Sequence, residues 1–117
     1  MIARVLLLAA AIAGVTAPAM AHAFLERADP AAGENLQTAP IRIELHFTEP
    51  LEPAFSAVTV SDESGHDMGA GPPVVGGSEM DLPLKALAPG RYRVSWHAVS
   101  VDTHRTEGKY NFLVLPR

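Results

Sequence analysis

The sequence predicts an all-β fold, a single antiparallel sandwich or Greek-key barrel, on three observations. Several short runs alternate apolar and polar residues with the period of two that a half-buried strand requires. Glycine, proline and Asx turn signals separate those runs. Past residue 21, no segment keeps an apolar period of 3.6 over ten residues, as a surface helix would.

Taken in order, the chain opens with a leader. Met1-Ile2-Ala3-Arg4 carries one positive charge, and Val5 to Val15 is unbroken apolar residues and glycine. Pro18 ends any helix, and Ala19-Met20-Ala21 is the small-x-small pattern a signal peptidase accepts. The apolar run is shorter than the roughly 20 residues a spanning helix needs. The reading is a signal peptide over 1–21, cleaved after Ala21, followed by one domain over 22–117.

Within that domain, Ile41, Ile43, Leu45 and Phe47 share one strand face, opposite Arg42, Glu44 and His46. Val58 and Val60 alternate with Thr59 and Ser61. Met80, Leu82 and Leu84 alternate with Asp81 and Lys85. Tyr92, Val94 and Trp96 alternate with Arg93, Ser95 and His97, and Tyr110, Phe112 and Val114 close the chain. Asp29-Pro30 with Gly33, Glu63-Ser64-Gly65, Pro89-Gly90 and the Gly/Pro-rich stretch 69–77 read as turns or loops, the last as a flexible one. Short strands at this spacing indicate a sandwich or barrel.

Charge and composition narrow the function. The 117 residues hold 13 acidic and 9 basic side chains, a formal net charge of −4 with histidine neutral. A mildly acidic surface argues against nucleic acid or anionic lipid as a partner. No cysteine is present, so thiolate-ligated zinc and blue-copper sites are excluded, and the fold rests on its β core instead of disulfides. There is no His-Glu-x-x-His helix, Ser-His-Asp spacing or phosphate-binding loop.

Four residues draw attention as metal ligands. Cleavage after Ala21 makes His22 the first residue, whose free amine and ring nitrogen can close a chelate on one ion. The amine's unperturbed pKa of about 7.7 lets a metal displace its proton at neutral pH. Two such nitrogen donors suit Cu(II), which favours tetragonal N/O sites. Asp102 and His104, in Ser100-Val101-Asp102-Thr103-His104, stand two apart, so in extended backbone their side chains point to one side. The acid can ligate or can orient the ring. Glu49 has the inward parity of Leu45 and Phe47, and Pro50 ends the strand there, which sets Glu49 at a sheet rim in need of a partner. His46 and His97 fall on polar strand faces, where a solvated histidine is expected. His66, Asp67 and Met68, in a turn, form a secondary candidate.

His22-Ala23, Pro30-Ala31, Leu45-His46-Phe47-Thr48-Glu49, Pro89-Gly90-x-Tyr92 and Trp96-x-Ala98-Val99-Ser100-x-Asp102-x-His104 with Gly108 resemble the CopC family of periplasmic copper-binding proteins over essentially the whole chain after the leader. The resemblance implies an immunoglobulin-like or cupredoxin-like β-sandwich located in the periplasm. It further implies a Cu(II) site made by His22 (amine and ring), Glu49, Asp102 and His104. In such a protein copper is bound for homeostasis or resistance, with no reaction catalysed. The ion is buffered or passed to an inner-membrane copper transporter or another periplasmic copper protein. The chain departs from relatives with a methionine-rich Cu(I) loop: past the leader it has only Met68 and Met80. This reads as a Cu(II)-only version.

Two other classes are distinguishable. A copper monooxygenase also uses an N-terminal histidine and a second histidine, but it needs an open position for dioxygen and an aromatic substrate face, whereas the aromatic residues here are assigned inward. A metal-free immunoglobulin-like adhesion or assembly module would show no copper-dependent stabilisation.

Overall fold

The computed structural model describes residues 23–117; the leader and His22 lie outside them. Eight strands form: β1 Leu25–Asp29, β2 Asn35–Leu36, β3 Arg42–Phe47, β4 Ala57–Ser61, β5 Val74–Gly76, β6 Glu79–Pro83, β7 Gly90–Val99 and β8 Arg105–Val114. A single 3-10 turn, Pro53–Phe55, interrupts them. The strands divide into two four-stranded sheets, ordered β1-β3-β6-β5 and β2-β8-β7-β4. No helix among the described residues is long and apolar enough to cross a membrane.

The period of two does what it predicted. Ile43, Leu45 and Phe47 of β3, Met80 and Leu82 of β6, Val58 and Val60 of β4, Tyr92, Val94 and Ala98 of β7, and Phe112 and Val114 of β8 fill the space between the sheets. Each strand thereby removes one apolar face from water, at about 25 cal/mol per Å² of area. Tyr92 and Phe112, cross-strand neighbours, lie with ring centroids 5.4 Å apart and planes 21° apart. The Tyr92 hydroxyl donates to the Ala88 carbonyl and pins the start of β7.

Four details differ from the alternation. Ile41 is 80% exposed, because β3 starts one residue later. Its carbonyl accepts from the Leu84 amide at the sheet end, and its side chain lies beyond the core. The 69–77 stretch is not loop throughout: Val74–Gly76 pairs with β6 as an edge strand. The antiparallel rule has one exception, since the two residues of β2 run parallel to the end of β8. Leu25–Asp29, where the alternation predicts no strand, pairs with β3 through a register shift between Leu25 and Arg27.

At one end of the sandwich, Trp96 packs edge-on against Phe47, with centroids 5.1 Å apart and planes at 73°. Across the β7–β8 ladder from Trp96 stands Gly108. A Cβ at Gly108 would lie 2.6 Å from Trp96 Cζ2 and 2.8 Å from Cε2, inside contact distance. The absent side chain is therefore what lets the indole lie flat over β8. Gly108→Ala should push the indole off Phe47 and destabilise the domain by about 1–3 kcal/mol, as overpacking does. Urea denaturation, with tryptophan fluorescence reporting the moved ring, checks this.

Candidate metal centre

The β7–β8 hairpin is the longest ladder in the molecule, from Gly90–Val114 to Val99–Arg105, and residues 100–104 form its connection. Ser100 organises that connection. It is 1% exposed. Its amide donates to the His104 carbonyl at 2.9 Å, and its carbonyl accepts from the Thr103 amide at 2.8 Å. Its hydroxyl donates to Asp102 Oδ1 and lies 3.3 Å from the His104 carbonyl. Thr103 turns the chain with φ of +74°, a left-handed conformation disfavoured for a β-branched residue. Such a residue costs on the order of 1–3 kcal/mol and persists only where surrounding bonds hold it.

Asp102 and His104 do come together, with Asp102 Oδ2 3.3 Å from His104 Nδ1. Extended backbone is not the cause. The turn at Thr103 folds the two residues toward each other, so the pairing predicted from strand parity arises from loop geometry. The Ser100 hydroxyl, foremost, holds the Asp102 carboxyl below the usual range against the opposing effect of burial, with His104 adding to the lowering.

Glu49 reaches the same rim by a different route. It is half-buried in the bend after β3, and the residues that follow are strapped to the hairpin end. The Val101 amide donates to the Pro50 carbonyl at 3.2 Å, Leu51 bridges Ser100, and the Glu52 amide donates to the Val99 carbonyl at 2.8 Å. The structure thus collects the segments carrying Glu49, Asp102 and His104. It does not draw all three carboxylate and imidazole groups to one point: among the described residues, Glu44, His46 and Glu79 are the group of three whose ligand atoms lie within 4.8 Å of one another.

The incoming chain is tied to both segments. Ala23 is fully buried, and its carbonyl accepts from Thr106 Oγ1 at 2.6 Å. The Phe24 amide donates to Thr48 Oγ1 at 3.0 Å, while the Thr48 amide donates to the Phe24 carbonyl at 2.9 Å. Thr48 precedes Glu49, and Thr106 follows His104 by two residues. His22, the first predicted ligand, lies outside the described residues.

The secondary candidate separates. His66 is exposed with Nδ1 3.1 Å from Asp62 Oδ2, Asp67 accepts from the Gly69 amide at 2.9 Å, and Met68 packs against the core. Amides of His66 and Ser64 with the His66 ring hold the Asp62 carboxyl below its ordinary range. Glu44 and Glu79, which complete the compact group around His46, were missed: they lie on two strands whose register no local pattern reveals.

The structure is a two-sheet β-sandwich whose N-terminal segment is stitched to the strand that follows the Asp-x-His loop and to the end of β3. Residues 25–115 match the CopC domain, and the chain belongs to the CopC family. It is 38% identical over 106 residues to protein YobA of Escherichia coli strain K12, covering 86% of this chain and 84% of that one. The solved structure of CopC from Methylosinus trichosporium OB3b superposes with a TM-score of 0.75 at 32% identity, covering 82% of this chain and 96% of that one. That of PcoC, a methionine-rich copper resistance protein from Escherichia coli, gives 0.70 at 35% identity, covering 80% and 99%.

Ser100→Ala should raise the Asp102 pKa toward its ordinary value in the metal-free protein, read from carboxyl chemical shifts. The sign follows from linkage: a lowered carboxylate pKa favours the fold above the ordinary carboxylate range of about 3.9, and that contribution is lost as pH falls through the lowered value. The variant should therefore show a flatter acid limb in its stability-versus-pH curve below about pH 4.

Proposed function

We infer that the protein is a periplasmic Cu(II)-binding protein of copper homeostasis or resistance, holding the ion at the N-terminus produced by cleavage after Ala21. The observation that supports this most directly is the double anchoring of Ala23 and Phe24 to Thr106 and Thr48. A residue bonded to Ala23 has its Cα about 3.8 Å from that of Ala23. Anchoring Ala23 there supports a site in which the terminal histidine joins the segments that carry Glu49, Asp102 and His104.

The chemistry is chelation of a cargo ion, with no reaction catalysed. The His22 amine and imidazole supply two nitrogens and the His104 ring a third. With Nδ1 of His104 turned to Asp102, Nε2 is the ring nitrogen for the metal, and Asp102 fixes the tautomer and adds basicity. Glu49 and Asp102 offset the charge of a divalent ion. Three nitrogens with carboxylate oxygen suit Cu(II), the strongest binder in the divalent series. Binding weakens as pH falls through the ranges of the amine, about 7.7, and of imidazole, about 6.5, since protons then compete for the same lone pairs.

Release to a partner is part of this reading. Phe24, Phe55 and Val101 are each more than half exposed. Phe24 pairs with Thr48, Val101 with Pro50, and the Phe55 turn follows Glu52 on Val99. They place apolar surface at the rim that holds the ion, which suits contact with an inner-membrane copper transporter or a second periplasmic copper protein.

Cu(II) titrated against a competing chelator into the chain beginning at His22 should bind tightly and one to one. Adding a single glycine before His22 should abolish that tight binding, and His104→Ala should weaken it severely. Equal binding by the native and extended chains would overturn the N-terminal assignment. A third variant, Thr106→Val, keeps the side-chain shape but loses the bond to Ala23. It should weaken Cu(II) by about tenfold, as loss of a ligand-supporting partner does, while its urea midpoint changes little.

A further inference from the structure

We propose that the outer face of the β1-β3-β6-β5 sheet is a second binding site, for a borderline divalent transition-metal ion such as Zn(II), built from Glu44, His46 and Glu79 with Asp81 beside them. It is separate from the N-terminal site and does not depend on it.

The strand register creates the site. Glu44 stands directly opposite Asp81, and His46 directly opposite Glu79, across the β3–β6 ladder. On the other side of β3, Asp29 is opposite Glu44 and Arg27 opposite His46. Like charges directly opposite each other destabilise a sheet, and here Asp29, Glu44 and Asp81 form a row of three carboxylates. Ligand atoms of Glu44, His46 and Glu79 already lie within 4.8 Å of one another. Bonds of about 2.0–2.2 Å to one ion in a tetrahedral site set donors roughly 3.3–3.6 Å apart, so the side chains close in by about 1 Å on binding.

Two further observations separate this face from an ordinary acidic patch. Asp81 Oδ1 is shielded from solvent and has no hydrogen-bond partner among the described residues, an oxygen for which the fold supplies no donor. The second observation concerns the imidazole. Arg27 Nη2 lies 3.2 Å from His46 Nε2, and a guanidinium can only donate. Glu79 Oε1 lies 3.5 Å from the same nitrogen, so Nε2 sits between a guanidinium and a carboxylate, and an ion bound there takes the place of Arg27. Arg42 likewise pairs with Glu44 at 2.7 Å. Two guanidiniums face four carboxylates, Asp29, Glu44, Glu79 and Asp81, so negative charge remains in excess around one nitrogen donor. One imidazole with two or three carboxylates is a donor set for Zn(II) or Cu(II) in preference to Mg(II) or Ca(II), which take oxygen alone.

The arginines give the proposal a sign that a diffuse surface effect would not share. Arg27 competes with the metal for His46 Nε2, so its removal should tighten binding, whereas loss of Glu79 should weaken it. The test uses the chain from His22 bearing His104→Ala, titrated with Zn(II) in millimolar Mg(II), with His46 ring and backbone resonances followed by NMR. One Zn(II) should bind with shifts centred on Glu44, His46, Glu79 and Asp81. Adding Glu79→Gln should weaken that event at least about tenfold, a loss of the size seen when a ligand's support is removed. Adding Arg27→Ala should strengthen it, and Glu107→Gln, on the opposite sheet, should leave it unchanged. Zn(II) shifts absent from His46, or equal affinities for the Arg27, Glu79 and Glu107 variants, would overturn the site. Because the rim histidine is already removed, failure here leaves the N-terminal copper reading standing, and failure of the glycine-extension experiment leaves this one standing.

Discussion

Ala23 and Phe24 are the point on which the functional end of the molecule depends. The first residue of an exported chain is ordinarily the least ordered part of it. A chelate made by a terminal amine and its own ring needs only one residue, but bringing further ligands to that ion needs the terminus held in place. Here the Ala23 carbonyl is bonded to a side chain of the β2-β8-β7-β4 sheet and Phe24 to the end of β3 in the other sheet. The chain enters between the two layers, and those same two points lie next to Glu49 and His104. Fixing the backbone of a residue costs about 1–2 kcal/mol. Here the fold meets that cost before any ion arrives.

The hairpin carrying the proposed ligands Asp102 and His104 is stiff for related reasons. Its ten-residue arms are paired along their length, and Trp96, lying over Gly108 and against Phe47, fills the core just below the loop. Above that plug, a buried serine supplies bonds to the loop's acid and to its backbone. An exposed loop with such internal support keeps its side chains in place while leaving them open to solvent, as the proposed loading and unloading of an ion requires. Affinity then rests on preorganisation more than on burial.

The two-layer core was legible because its signal is local: each inward residue of β3, β4, β6, β7 and β8 announces itself by parity with its neighbours. Where local pattern fails, so did the reading. Ile41 has the parity of Ile43 but sits where the sheet ends, with its side chain beyond the core, and β5 is three residues of edge strand inside a Gly/Pro-rich stretch. β2 is too short to alternate at all. The site divides along the same line. Asp102 and His104 are close in sequence, so their meeting could be foreseen, though a left-handed threonine and not an extended strand produces it. Glu49 was placed at the rim by Pro50, and its strap to Val101 depends on tertiary contacts. The Glu44–His46–Glu79 group was illegible, because it exists only through the β3–β6 register, which joins positions more than thirty residues apart.

Donor chemistry links the two ends of this account. Of the thioethers among the described residues, Met80 is fully buried in the core and Met68 packs against it. Soft sulfur, which selects Cu(I), is thereby committed to packing. What the surface offers is imidazole, carboxylate and, at the proposed mature terminus, an amine. The proposed choice of an oxidised, borderline ion rests on which residues the sandwich spends on its interior. In the same way, the polar face of β3 and β6, freed from packing, became available for a nitrogen–oxygen cluster.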